Sequence, residues 1–317
     1  MKILANDGID QSAKVALESR GFFIDTTNIP QVELPSRIKD YDILLVRSAT
    51  KVTREVLDAA PNLKLVGRAG VGLDNIDTTY AKERGVAVVN TPAASSTSVA
   101  ELVFAHLFSV CRMLQYTNRE MPENGIKDFN ALKKTASAGI ELKGKTLGLI
   151  GFGRIGREAA RMGFGLGMNV IAFDPMITEA EVEITFHPDA GIPPVKKLVR
   201  TISKDEVLMH ADFVSLHIPG GQGYVIAEPE LKLMKKGSGL INCARGGVVN
   251  EHDLVDALNS GHLAYAGIDV FEKEPPVYDG ILKLRNVSLT PHIGASTAEA
   301  QKRIGDEMAE QIISFFK

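Results

Sequence analysis

A strand, a glycine turn, a helix, a second strand and an acid follow one another between Thr146 and Asp174, and that order leaves few folds open to the chain. Thr146-Leu-Gly-Leu-Ile150 is an apolar run, and Gly151-Phe-Gly153-Arg-Ile-Gly156 follows it directly. Arg154 to Met168 has helical character, and Val170-Ile-Ala-Phe173 leads into Asp174. A GxGxxG alone is a weak signal. Between a strand and a helix, with an acid about 20 residues on, it marks a βαβ unit that binds a dinucleotide. Gly151 permits the tight turn, Gly153 lets the main chain approach a pyrophosphate, and Gly156 lets helix and strand pack closely. The helix N-terminus then offers free N–H groups and a positive dipole end to the phosphates. Asp174 is placed to accept hydrogen bonds from the adenosine ribose hydroxyls. Its charge opposes the extra phosphate of NADP, so NAD is the expected cofactor. A turn that merely packs helix on strand would need the glycines but not the acid.

With 317 residues the chain can build two domains with real cores. A net charge of −3 argues against a broad surface for nucleic acid. Cys111 and Cys243 lie far apart with no CxxC, which suits a reducing, cytoplasmic setting, and Cys111 is expected to be a small buried side chain. Met1-Lys-Ile-Leu-Ala-Asn-Asp7 reads as a first strand, too short and too soon polar for a signal peptide. The most apolar helical stretch, Val99 to Leu114, carries Glu101, His106 and Arg112, so no membrane span is expected. His106, His187, His210, His252 and His262 show no partner pattern, and His217 is expected to pack. With no HxxxH or clustered Cys/His, no catalytic metal is expected.

Strand and helix signals alternate through the first ninety residues and again from Thr146 onward, which argues for parallel α/β sheets. In the first series the strands are expected at residues 3–5, 22–24, 43–46, 65–66 and 86–89. In the second they fall at 146–150, 170–173, 212–216, 239–243, 264–269 and 287–290. Capping boxes are expected at Ser98-x-x-Glu101 and Ser203-x-x-Glu206, with further caps at Asp77 and Asn250. Residues 121–145 read as a loop with one short helix, and the Pro-interrupted 185–200 stretch as an irregular surface excursion. Residues 297–317 form one amphipathic helix. No flexible linker is present, so hinge-like joins are expected near residues 92–97 and 293–298.

Ligands of doubly wound sheets bind beyond the C-terminal strand ends, so polar residues just past those ends are candidates. Arg245 follows Leu240-Ile-Asn-Cys243, Glu274 follows the strand ending at Asp269, and His292 follows Val287–Thr290 and Pro291. Singly, each has a bland reading: a helix-packing cation, a solvated turn acid, a satisfied loop histidine. Together they suit hydride transfer to and from a 2-hydroxy acid. His292 would take the hydroxyl proton, Glu274 would hold its ring, and Arg245 would grip the substrate carboxylate and polarise the reacting carbonyl. In the first series Arg47 and Arg68 also follow strands. They are expected to meet an anionic substrate in the cleft, with inter-domain ion pairing as the alternative.

These segments resemble the D-isomer-specific 2-hydroxyacid dehydrogenase family over nearly the whole chain. The likeness rests on Val66-Gly-Arg-Ala-Gly-Val-Gly-Leu-Asp-Asn75, Asn90-Thr-Pro92, Gly144 to Gly156, Asn242-Cys-Ala-Arg-Gly-Gly247, Asp269-Val-Phe-Glu-Lys-Glu-Pro275 and Pro291-His-Ile-Gly-Ala-Ser-Thr297, in that order. It implies two Rossmann-like doubly wound domains with an active-site cleft between them. Residues 1–94 with 296–317 would form a flavodoxin-like substrate domain, and 95–295 the NAD domain. It implies Arg245, Glu274 and His292 as the catalytic trio. Arg154, Ile155, Asp174, Ile218, Cys243, Ala244, Asp269 and Gly294 would line the NAD site, and Arg47, Arg68, Ala69 and Gly70 the substrate site. A homodimer through the NAD domain is also implied. Val46-Arg-Ser-Ala-Thr-Lys-Val-Thr53 and Gly67-Arg-Ala-Gly70 look most like the family branch that oxidises 3-phosphoglycerate with NAD, the first step of serine synthesis. A glyoxylate or hydroxypyruvate reductase and a NAD-sensing corepressor are the alternatives. Three departures stand out. A C-terminal regulatory domain is not expected, nor feedback by that route. Pro219-Gly-Gly-Gln-Gly223 replaces the family's Pro-Leu and hydroxyl residues. Leu132-Lys133-Lys134 stands where relatives carry Trp and a basic residue, and either lysine would reach the partner subunit's phosphate site.

Overall fold

A computed structural model describes residues 1–221 and 223–317. Gln222, within the Pro219–Gly223 departure, lies outside the described residues. The chain divides into two compact units, Met1–Ser98 with Ala295–Lys317, and Val99–Gly294.

The first unit holds a five-stranded sheet of β1 (Lys2–Ala5), β2 (Phe23–Asp25), β3 (Ile43–Val46), β4 (Leu65–Arg68) and β5 (Ala87–Asn90). All pairings are parallel, in the order β2-β1-β3-β4-β5. Side chains alternate between two buried faces, as a strand's period of two requires. Ile3, Ala5, Ile43, Leu45 and Leu65 face one core, together with Met308, Ala309 and Ile312 of the C-terminal helix Ala298–Phe315. Leu4, Leu44, Val46 and Val66 face the other. Thr297 caps that helix by accepting from the Ala300 N–H at 3.1 Å, close to the expected start. Asp77 caps Thr78–Glu83 in the same way.

The second unit holds a six-stranded parallel sheet. Its strands are β6 (Thr146–Ile150), β7 (Asn169–Phe173), β10 (Phe213–Leu216), β11 (Ser238–Asn242), β12 (Leu263–Ile268) and β13 (Val287–Leu289), in the order β13-β12-β11-β10-β6-β7. Leu147, Leu149, Phe213 and Ile241 face one core; Ile150, Val214, Leu216 and Leu240 face the other. Ser203 and Glu206 form the expected capping box, and Asn250 accepts from the N–H groups of His252 and Asp253.

Three expectations are corrected. The 185–200 excursion ends in a regular strand: β9 (Val195–Arg200) pairs antiparallel with β8 (Glu179–Ile184), which precedes the excursion. Glu179–Arg200 and Glu181–Lys196 ion pairs, each 3.2 Å, run across the ribbon, and Val182 and Val199 are its buried anchors. Thr201 then bridges Ala172 in parallel, extending the sheet one position beyond β7. Residues 121–145 are more helical than expected, with helices Leu114–Asn124 and Phe129–Ala136. They bury little beyond Leu132. The long apolar helix runs Ser96–Cys111, so Ser98 lies inside its first turn rather than at the cap. No single helix is long and apolar enough to cross a membrane among the described residues.

Just past β1, buried Asn6 uses both ends of its amide. Its Nδ2 donates to Ile29 O (3.1 Å) and Thr50 Oγ1 (2.8 Å), and its Oδ1 accepts from the Ile29 N–H (2.7 Å). Asn6→Leu would leave the Ile29 N–H buried and unpaired. It is expected to cost about 1–3 kcal/mol, read as a lower urea midpoint.

Candidate active site

The second sheet reverses its winding between β6, which leads to β7 on one side, and β10 on the other. A reversal of this kind opens a crevice at the C-terminal strand ends. The glycine turn stands there. Gly151 has φ +96°, and a Cβ on it would collide with the carbonyl of His217; a Cβ on Gly156 would collide with the Gly151 carbonyl. A Cβ on Gly153, by contrast, would meet nothing within 4 Å, and Gly153 caps the Arg154–Gly165 helix with no side-chain hydrogen bond. Space over Gly153 and an uncapped helix start fit the pyrophosphate of a dinucleotide. Arg154 is exposed and Ile155 half-buried on the first turn.

Asp174 stands at the end of β7, beside this turn. Its Oδ2 accepts from the Phe152 N–H (2.7 Å), and its Oδ1 from the N–H groups of Met176 (2.9 Å) and Ile177 (3.1 Å). Three of about four acceptor positions are therefore used by the main chain, and the side chain is fixed beside the glycine turn. Ile218, half-buried, follows β10.

Arg245, Glu274 and His292 follow β11, β12 and β13, three neighbouring parallel strands, so topology brings all three to one sheet edge. His292 Nδ1 lies 2.7 Å from Glu274 Oε2. An ionised carboxylate only accepts, so Nδ1 carries the hydrogen and Nε2 keeps a lone pair. Glu274 Oε1 also accepts from the Phe271 N–H at 3.3 Å. An apolar cavity of about 380 Å³, lined by Phe271, Pro275, Leu282 and Leu289 among others, flanks the pair. Arg245 belongs to a turn clamped by Asn242, whose Nδ2 donates to Arg245 O (3.0 Å) and whose Oδ1 accepts from the Ala244 N–H (3.1 Å). Its own Nη1 donates to Ala244 O at 2.7 Å. Cys243, just before, is buried, and burial together with the Asp269 charge pushes its thiol well above the usual range.

Asp269, expected at the NAD site, accepts three hydrogen bonds from its own chain. It is 1% exposed; Oδ1 accepts from Thr290 Oγ1 (2.6 Å) and the Ile293 N–H (2.8 Å), and Oδ2 from the Gly294 N–H (2.9 Å). Its carbonyl accepts from the His292 N–H at 2.7 Å. These bonds hold His292 at φ +54°, a left-handed conformation that is uncommon outside glycine.

In the first unit, Arg47 and Ala69 line a cavity of about 310 Å³ with Asp7, Asp10 and Gln301, at the point where the first sheet reverses between β1 and β3. Arg68 does not line it: its guanidinium folds over Gly70, where a Cβ would collide with Nη1. The sequence reading missed Asp7 and Asn75. Asp7 Oδ2 accepts from the N–H groups of Arg47 (2.6 Å) and Thr50 (3.1 Å), and Asn75 Nδ2 donates to the carbonyls of Arg47 (2.8 Å) and Thr50 (2.6 Å). An acid directly after the first strand was the available signal for Asp7. His106, given no partner from sequence, bonds Ser288 and Thr290.

His217 packs beneath the glycine turn. The residue keeps some exposure overall, but its Nε2 is buried without a hydrogen-bond partner, and burial pushes its pKa from 6.5 to about 4. Below pH 6.5 the unfolded chain takes up a proton that the folded ring refuses. Stability is therefore expected to fall as pH drops from about 6.5 towards about 4. His217→Gln should flatten that limb of a Tm-against-pH curve; an unaltered slope would rule out this ring as its source.

Residues 104–294 match the family described as D-isomer specific 2-hydroxyacid dehydrogenase, NAD binding domain. The chain is 42% identical over 314 residues to a D-3-phosphoglycerate dehydrogenase of Methanocaldococcus jannaschii, covering 98% of this chain and 57% of that protein. It is 39% identical to a hydroxypyruvate reductase of Thermotoga maritima, covering 98% of this chain and 97% of that protein. It thus spans little more than half the length of the first of these relatives and nearly all of the second. Its fold matches D-lactate dehydrogenase from Aquifex aeolicus, solved with NAD and lactic acid, with a TM-score of 0.78 and 31% identity over 100% of this chain and 95% of that one. The chain belongs to the D-isomer-specific 2-hydroxyacid dehydrogenase family, with NAD as the cofactor that its Val99–Gly294 unit is built to bind.

Proposed function

We propose that the protein is an NAD-dependent D-2-hydroxyacid dehydrogenase that oxidises 3-phosphoglycerate to 3-phosphohydroxypyruvate. The observation that carries the chemistry is the 2.7 Å contact of His292 with Glu274 at the sheet edge that also bears the glycine turn. In the oxidative direction His292 Nε2 takes the proton of the substrate hydroxyl, and Glu274 holds the ring and compensates the imidazolium that forms. Gly151–Gly156 would hold NAD with Asp174 on its ribose, and the bound cofactor would supply the acceptor for the hydride that leaves the same carbon. In the reverse direction Nε2 returns the proton to the new hydroxyl. Arg245 holds the substrate carboxylate and polarises the C2 oxygen.

The choice of a phosphorylated substrate rests on Arg47, which lines the first unit's cavity, and on the identity with phosphoglycerate dehydrogenases; Arg68, at the neighbouring strand end, would join it only on unfolding from Gly70. We assign the Met1–Ser98, Ala295–Lys317 unit to substrate binding on the same ground, and propose a homodimer through the NAD domain in a cytoplasmic setting. A second reading, hydroxypyruvate or glyoxylate reduction, is favoured by the Thermotoga relative, which this chain matches along nearly its full length.

A spectrophotometric panel separates the two. NADH formation with 3-phosphoglycerate is expected to exceed that with glycerate or lactate by tenfold or more in kcat/KM; equal or better rates with glycerate would move the assignment to the second reading. His292→Gln is expected to lower kcat about 10²–10⁴-fold with KM little changed, and Glu274→Gln to lower it less. Asp174→Ala should cut the preference for NAD over NADP at least tenfold, measured as the ratio of kcat/KM values; an unmoved ratio would separate Asp174 from the ribose.

A further inference from the structure

His106 lies in the long helix Ser96–Cys111, is 1% exposed, and plays no part in the reaction described above. Its ring Nδ1 is 2.9 Å from Ser288 Oγ and its Nε2 3.1 Å from Thr290 Oγ1, both on or beside β13. The helix comes this close because β12 carries glycine opposite: a Cβ on Gly267 would stand 2.6 Å from the Cβ of His106. Beyond Thr290 the bonds lead to the buried carboxylate of Asp269 and so to the N–H groups of Ile293 and Gly294.

The directions of these bonds can be read from chemistry. The Asp269 carboxylate only accepts, so the Thr290 hydroxyl spends its hydrogen there. Thr290 Oγ1 can then only accept from His106, which places the ring hydrogen on Nε2. Nδ1 is left with a lone pair, and Ser288 donates to it. Burial holds His106 below the usual imidazole range against the opposing pull of the Asp269 charge, in keeping with a neutral ring. One neutral tautomer therefore completes a chain in which each group donates to the next, Ser288 to His106 to Thr290 to Asp269, and the Asp269 carboxylate accepts as well from the turn bearing His292.

We infer that His106 is a positioning residue for the proton-transferring histidine. It fixes the Thr290 hydroxyl on Asp269 and thereby holds the left-handed turn that aims His292. The inference rests on the proposed dehydrogenase reading, and an error of about 1 Å in such a group can cost on the order of a hundredfold in rate.

Two measurements on the full chain test it. Long-range ¹H–¹⁵N spectra at pH 7 are expected to show His106 as the neutral Nε2–H tautomer; an Nδ1–H tautomer or an imidazolium overturns the chain of bonds. In steady-state assays His106→Leu and Thr290→Val are each expected to lower kcat at least tenfold. The double variant should be no more than about threefold worse than either single one, because both cut the same chain. His106→Gln, which can also give an N–H and accept an O–H, should recover most of the lost rate. Loss of rate in His106→Leu without coupling to Thr290→Val, or without recovery in His106→Gln, points to packing alone and overturns the inference. So does a kcat within twofold of the parent. If the parent turns over none of the acids tried, the functional reading has failed instead. The inference is then judged by the His292 ring resonances, which must shift in His106→Leu and in Thr290→Val. Should His106→Leu not fold, Thr290→Val and His106→Gln carry the same comparison.

Discussion

The carboxylate of Asp269 supports the turn on which the candidate chemistry stands. Two N–H groups and one hydroxyl converge on its two oxygens, and its own carbonyl takes the N–H of His292. A buried carboxylate is costly unless its acceptor positions are filled, and here filling them also shapes the loop. The loop in turn sets His292 at a backbone conformation that only a closely bonded site sustains. Glu274 then needs only to approach Nδ1 from the neighbouring strand end. Precision at an exposed pair is obtained from bonds made in the interior.

The same economy recurs at the other strand ends. Asn242 clamps the turn that presents Arg245, Asp7 and Asn75 hold the loop that presents Arg47, and Asp174 ties its own strand exit to the glycine turn. In each case a short polar side chain satisfies main-chain groups that a tight turn would otherwise leave unpaired. Each parallel sheet supplies its own C-terminal edge, and these side chains determine what that edge displays.

Much of this was legible from sequence because it is local. The glycine turn, the caps at Asp77, Ser203 and Asn250, and the apolar runs of the parallel strands are written within a few residues of one another. The candidate trio could be placed on one edge because strand order in such sheets is constrained. What escaped is non-local or faintly patterned. His106 meets its partners 182 and 184 residues away, so no spacing rule could pair them. In the β8–β9 ribbon Glu179-Ala-Glu-Val-Glu-Ile184 alternates charged and apolar residues, a strand signal that was there to read, whereas Val195-Lys-Lys-Leu-Val-Arg200 has no such alternation. The helices between Leu114 and Ala136 are short, Pro122 lies inside the first and Gly125 ends it, so breaker residues there read as loop. The backward fold of Arg68 over Gly70 depends on side-chain torsions that the position of a residue after a strand does not determine.

The C-terminal helix carries a consequence for biosynthesis. Met308, Ala309 and Ile312 close one face of a sheet whose strands all lie within the first 90 residues. On the ribosome that face has only the Gln11–Glu18 helix, through Ala13 and Leu17, to cover it while some two hundred further residues are translated, whereas the contiguous Val99–Gly294 unit can finish its own core before the last helix emerges. Nascent chains should therefore acquire native structure from the middle outward, with the amino-terminal sheet the last part to be sealed and the one most in need of shelter by a chaperone.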